Sequence, residues 1–266
     1  MDKQNVFCSN LFHMDSDDVL HILIKDLVDV LPDIELYDKE GNVEDSLYAN
    51  VEYGALYNWY ATTDARNIAN TGWHSATTVN YQTLITYLGG TFVSGGKLKE
   101  TGTVYWLTPN TGATNEVGFN ARGTGLRNGS TGLFVSKPGI CLFHVSDTYG
   151  VSDTCAFILR YDNTNFQLTT PGGTIPGLEI AKRNGYIIRL IKDSTTLIHG
   201  QTGSYMGNDG KVYNSICIGT QEWLSENLKE TKYRDGTDIP VVSDNAAWVA
   251  LATGAMCYYN NDITYA

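Results

Sequence analysis

The sequence predicts an α+β domain with short antiparallel sheets, two or three helices and long loops. Three observations lead there. Of the 266 residues, 27 are glycine and 17 tyrosine, whereas only 18% are charged, a profile of strands and turns rather than of a helical bundle. From Tyr48 to about Lys192, short apolar runs are broken by Gly, Asn, Thr and Pro, the pattern of strands joined by hairpins. Helical spacing with end signals occurs in only three short segments.

The first of these is "SDDVLHILIKDLVDVL" at 16–31. Ser16 or Asp17 can cap its free N–H groups, acids fill the first turn, and Pro32 follows the end. Val19, Leu20, Leu23, Leu27, Val30 and Leu31 recur at helical spacing, and Ile22, Ile24 and Val28 widen the stripe. Such a helix needs burial on more than one side, so a docking role and a core role are both open. "TTVNYQTLITYLGG" is the second, with Thr77 or Thr78 as cap and Gly89 as stop. "CAFILRYDNTNFQLTT" reads as strands and hairpins, and residues 194–210, "STTLIHGQTGSYMGNDG", as a polar, Gly-rich linker. Alternation returns in "KVYNSICIGTQEWLSENL", and "SDNAAWVALATG" is the third helix, capped by Ser243 or Asp244 and ended by Gly254. The chain closes on "GAMCYYNNDITYA", an aromatic stretch that would fray unless something completes it.

The formal net charge is -11 and no lysine or arginine cluster occurs, which argues against nucleic acid as a partner. The start lacks the basic and apolar regions of a secretory signal. No apolar run approaches the roughly 18 residues that span a bilayer, so membrane insertion is not expected. The five cysteines, Cys8, Cys141, Cys155, Cys217 and Cys257, are widely spaced and form no CxxC pair; buried free thiols fit better than a zinc site or a disulfide framework. No G-x-S-x-G, H-E-x-x-H or phosphate-cradling glycine motif is present.

Two blocks are more specific. "DGKVYNSICIGTQEWLSENLKETKYRDGTDIPVVSDNAAWVALATGAMCYYNND" resembles the opening half of the Fibrobacter succinogenes major paralogous domain, known from gut Bacteroidetes, Fibrobacter and their phages. "EYGALYNWYATT", "TGWHSAT", "LITYLGG" and "GGKLKETGTVYWLTPNTGATNEVGFNA", running on to "NGYIIRLIKD", resemble the remainder. The order is reversed relative to that family. The resemblance therefore implies a circular permutation: an N-terminal docking segment at 1–46, the family's second half at 47–193, the linker at 194–210 and the first half at 211–266. On this reading "NNDITYA" at 260–266 lies beside "LYANVEYG" at 47–54, within one chain or by exchange between copies of a homo-oligomer. The family's paired cysteines are matched here by Ala69 and Leu190. That absence suits folding in a reducing cytoplasm and, with the missing signal, a phage virion protein; a bacterial surface protein is the alternative.

The resemblance further implies a C-type-lectin-like fold of the formylglycine-generating-enzyme-like branch, with Trp59, Trp73, Trp106, Trp223 and Trp248 in its core. The enzyme branch needs reactive or metal-binding cysteines; Cys141 and Cys155 have no activating partner nearby in the sequence, so no catalysis is expected. True calcium-dependent lectins carry motifs absent here, and "YNND" (Asn260, Asn261, Asp262) suits a turn, so no metal or other cofactor is expected. The ligand face of this fold corresponds to Arg122 through Arg189. Its candidate binding residues are Arg127, Asn128, His144, Tyr149, Arg160, Tyr161, Asn163, Asn165 and Phe166, a mix of aromatic and amide groups suited to a bacterial surface glycan or protein. The structural alternatives are a satisfied, buried His144 and a hairpin whose Tyr161 and Phe166 point into the core. "GGTIPGLEIAKRNG" departs from the family's usual strand pairs, which leaves open a purely structural adaptor contacting other virion proteins through residues 1–46.

Overall fold

Aromatic and β-branched residues at alternate positions build short strands here, and turn residues keep them short. The computed structural model describes residues 52–149, 153–172 and 180–265. The expected helix at 16–31, the rest of the 1–46 segment and Cys8 lie outside them, and Glu52–Ala266 forms a unit of its own. β1 (Leu56–Tyr57) leads into the single turn of α1 (Trp59–Thr62), capped by Asn58. β2 (Trp73–Ser75) precedes α2 (Thr78–Tyr87), where Thr77 and Asn80 form a capping box. α3 (Thr91–Leu98) follows directly. β3 (Leu126–Arg127) pairs with β4 (Phe134–Val135), and β5 (Ile140–His144), β6 (Ala156–Arg160) and β7 (Gln167–Thr169) make a three-stranded antiparallel sheet.

The largest sheet draws on both ends of the described chain. β8 (Leu190–Lys192) pairs with β2 on one side and with β11 (Gln221–Leu224) on the other; β10 (Val212–Ile218) and β9 (Thr202–Met206) complete the order β2-β8-β11-β10-β9, all antiparallel. α4 (Asn245–Val249), capped by Asp244, and β12 (Met256–Cys257) follow, and the chain ends in two single 3-10 turns, Tyr259–Asn261 and Ile263–Tyr265. β12 pairs with β1 in the register Leu56↔Cys257 and Tyr57↔Met256, and the Tyr53 N–H donates to Tyr265 O at 2.9 Å. The aromatic tail is thus held by residues 53–57 of its own chain. This is the mixed arrangement of short antiparallel sheets that composition and patterning predict.

Three expectations need correction. Residues 202–206 are strand β9 rather than linker: Tyr205 turns inward onto Tyr213 and Trp73, and Gly207 and Gly210 close a tight hairpin to β10. Polarity hid it, because an edge strand with one solvated face looks like a loop. The third helix stops at Val249 rather than Gly254. And α3 occupies "TFVSGGKL", where two adjacent glycines lower helix propensity. A Cβ on Gly95 would lie 2.5 Å from Asn165 O, and one on Gly96 2.3 Å from Gly112 O, so these glycines let two loops cross the helix closely. Gly96→Ala is expected to destabilise by about 1–3 kcal/mol in denaturant unfolding, although alanine is the better helix former.

All five tryptophans are buried. Trp106, Trp223 and Trp248 share a central core with Tyr81, Phe119, Phe143, Phe157 and Phe166, where Tyr81 stacks at 4.8 Å from Phe157 and 5.1 Å from Trp223. A second core gathers Tyr57, Trp73, Tyr205, Tyr213 and Met256, and it includes both Ala69 and Leu190.

Candidate functional site

Loops of this length need internal ties, and buried cations supply them by donating to carbonyls that would otherwise lack partners. Lys99, fully buried at the end of α3, donates from Nζ to Thr111 O, Arg160 O and Asn163 O at 2.9–3.0 Å. It therefore staples the loop after Trp106 to the loop after β6. Burial draws its pKa down to about 8. Lys99→Met removes a desolvated charge but leaves three carbonyls undonated; a net loss of about 2 kcal/mol is expected, with faster amide exchange confined to 107–113 and 160–165.

Beside that staple lies a partly exposed stretch of the expected face, Arg160–Asp162. Arg160 grips Asp162 with two parallel bonds, Nε to Oδ1 at 3.0 Å and Nη2 to Oδ2 at 2.9 Å. Hydrogen bonding to Arg160 holds the Asp162 carboxyl below its ordinary range. Tyr161 is half-buried and faces Leu107, itself 45% exposed, across Gly139; a Cβ on that glycine would meet Leu107 Cδ1 at 3.3 Å and Tyr161 Cδ1 at 3.7 Å. The result is a bare backbone floor between two apolar walls, rimmed by a planar ion pair. Lys99, Leu107, Gly139 and Asp162 were not singled out by sequence; only the fold brings 99–111 and 139 beside 160–162.

The other candidates go elsewhere. Asn163 accepts from the Asn165 N–H and donates to Asp162, closing the loop on itself. Asn165 supports the same turn and lies against Gly95 through its backbone. Phe166 is fully buried among Tyr81, Phe143 and Phe157. Arg127 is fully buried beneath Trp248 and donates to Gly132 O, Val242 O and Ser243 O. Asn128 caps its own turn through the Ser130 and Thr131 N–H groups. His144 is buried with Nε2 2.8 Å from Tyr57 O, and burial pulls its pKa down to about 4. Tyr149 is exposed, but it sits beyond the other end of the β5–β6 hairpin from Arg160. Arg127, His144 and Phe166 are therefore interior packing residues whose side chains a surface ligand cannot reach, and the nine residues do not form one constellation.

Cys141, Cys155, Cys217 and Cys257 are free and buried. Burial pushes the Cys141 and Cys257 thiols up to about 12 and raises those of Cys155 and Cys217. No group of three or more His, Cys, Asp or Glu among the described residues could hold a metal ion. In "YNND", Asn260 and Asn261 adopt left-handed φ of 53° and 59°, and Asp262 accepts from Thr264, which is turn chemistry.

Residues 25–150 match the Fibrobacter succinogenes major domain. The match supports the family and covers α1 to α3 together with the loop that Lys99 anchors, while 211–266 lie outside it. No curated protein and no solved structure matches the chain. No helix among the described residues is long and apolar enough to cross a membrane.

Proposed function

We propose that this chain is a non-enzymatic structural and adhesion protein of a phage particle, a tail or head fibre or a decoration, that contacts a bacterial surface glycan or protein. The observation that carries the reading is the platform over Lys99. Its carbonyls are consumed by Lys99, Leu107 is 45% exposed, the Arg160–Asp162 pair is partly exposed, and Tyr161 packs one side on the core and leaves the other accessible. A loop already ordered spares a ligand the entropy of ordering it, an aromatic ring offers a rigid stacking surface, and a guanidinium–carboxylate pair offers planar donors and acceptors. The raised thiols and the buried, neutral His144 speak against nucleophilic or acid–base chemistry. The lectin-like fold, the permuted order of the two halves and assembly in the host cytoplasm belong to the same proposal; the pairing of β1 with β12 supports the permuted order, because it joins the two ends that such a rearrangement would have cut.

A second reading has its own observation. Val79, Tyr87, Phe92 and Val93 are 46–76% exposed on α2 and α3, a surface suited to packing in an assembly, as a purely structural adaptor or a homo-oligomer would use.

The test is binding of the full chain to gut Bacteroidetes cells and to a glycan array, beside the Arg160→Ala/Tyr161→Ala variant. Asn163 and Asn165 are left intact because they hold the loop. Binding that is lost in a variant of unchanged thermal stability is expected. No binding by either protein would leave the adaptor reading.

A further inference from the structure

The last turn of the chain closes around a lysine. Lys137 Nζ lies 3.2 Å from the ring centroid of Tyr265, 4.0 Å from that of Tyr53 and 5.1 Å from that of Tyr259, all within the roughly 6 Å over which a ring face attracts a cation. The four side chains come from three separated stretches of chain. Tyr53 and Tyr265 also meet edge to face at 5.8 Å, and Tyr259 packs on Phe134 at 5.2 Å. The seat is tight: Gly125, at φ +63°, would place a Cβ 2.9 Å from Tyr259 Cε2. Charge agrees with the arrangement, since Asp262 is the acid that favours the Lys137 cation. Behind Tyr53, Tyr105 meets its ring at 5.5 Å and carries Arg122, itself paired with Glu100 at 2.7 Å.

We propose that Lys137 is the pin of a cation–aromatic clasp that straps residues 258–265 onto the domain, so that the strap can be released without unfolding the sheets. The strap's regular strand pairing ends at Cys257. Beyond it, Tyr53 N–H donates to Tyr265 O and Asn261 Nδ2 donates to Ser243 O at 3.0 Å, so side chains carry most of the hold. Released, the strap uncovers Phe134 and the side of Tyr53 that Tyr265 covers.

Two effects oppose each other at Lys137. Three ring faces and Asp262 favour the cation, while burial disfavours it and draws the pKa down to about 8. Substitution reads the balance directly. If the rings dominate, Lys137→Met, which keeps the length and loses the charge, loosens the strap; if desolvation dominates, the same change tightens it. Hydrogen exchange of the full-length protein at pH 7 is the measurement. Lys137→Met is expected to speed exchange of the 258–265 amides about tenfold, leave β10 and β11 protected, and be rescued by Lys137→Arg. Exchange unchanged or slowed in Lys137→Met would overturn the clasp. Should that variant lose its global fold, Tyr265→Leu gives the decision: loosening confined to 258–265 supports the clasp, and unchanged protection overturns it.

Discussion

Arg189→Met is expected to lower unfolding stability by about 4 kcal/mol. Arg189 is fully buried and donates from Nε to Asn227 Oδ1, from Nη1 to Phe119 O and Leu224 O, and from Nη2 to Asn120 O, at 2.7–3.0 Å. Its guanidinium stacks 4.3 Å from Phe119. Methionine replaces the apolar stem but strands four acceptors at the junction of β8, β11 and the 119–120 loop. Burial depresses the pKa to about 10, so the group is a cation at neutral pH. Arg189→Lys should recover only part of the loss, since one ammonium cannot span the planar fork of partners. Chemical denaturation checks both; a loss under about 1 kcal/mol in the methionine variant would contradict this role.

Between pH 6.5 and 4.5, two buried groups are expected to pull stability in opposite directions. His144 has a folded pKa of about 4 against 6.5. Its contribution is complete above pH 6.5 and is lost as pH falls toward 4, because the unfolded chain takes up the proton first. Glu230 is raised from 4.5 to about 7 by burial and then by Asp209, although the N–H groups of Asn208, Asp209, Thr231 and Lys232 point at its carboxylate. Its contribution is complete below pH 4.5 and is lost as pH rises through 7. In the wild type these two contributions largely offset each other over this window. His144→Gln should gain about 2 kcal/mol on acidification from pH 6.5 to 4.5, and Glu230→Gln should lose about as much. Stability measured against pH for the three proteins checks the signs; parallel curves would contradict the assignment.

Local signals served the sequence well where the chain's own neighbours decide structure. Thr77 and Asp244 cap helices because their side chains reach the third residue onward, and the tryptophans bury because no short loop could solvate them. Signals failed where distant contacts decide. The glycines of α3 look like breakers until Gly112 and Asn165 are seen crossing the helix, and β9 looks like a linker until β10 is beside it. The candidate face suffered most. Arg127, His144 and Phe166 share the composition of a binding loop, yet their partners in 242–245, Tyr57 and the central core exist only in the fold. Lys99 carries no local mark at all, since a lysine after an amphipathic turn ordinarily points to solvent.

The most direct measurement of the binding claim is a hydrogen-exchange footprint of the full chain with and without surface polysaccharide extracted from gut Bacteroidetes. The platform reading predicts added protection confined to residues 105–111 and 159–166, with the rest of the domain unchanged. Protection over α2 and α3 instead, or none anywhere, would contradict it.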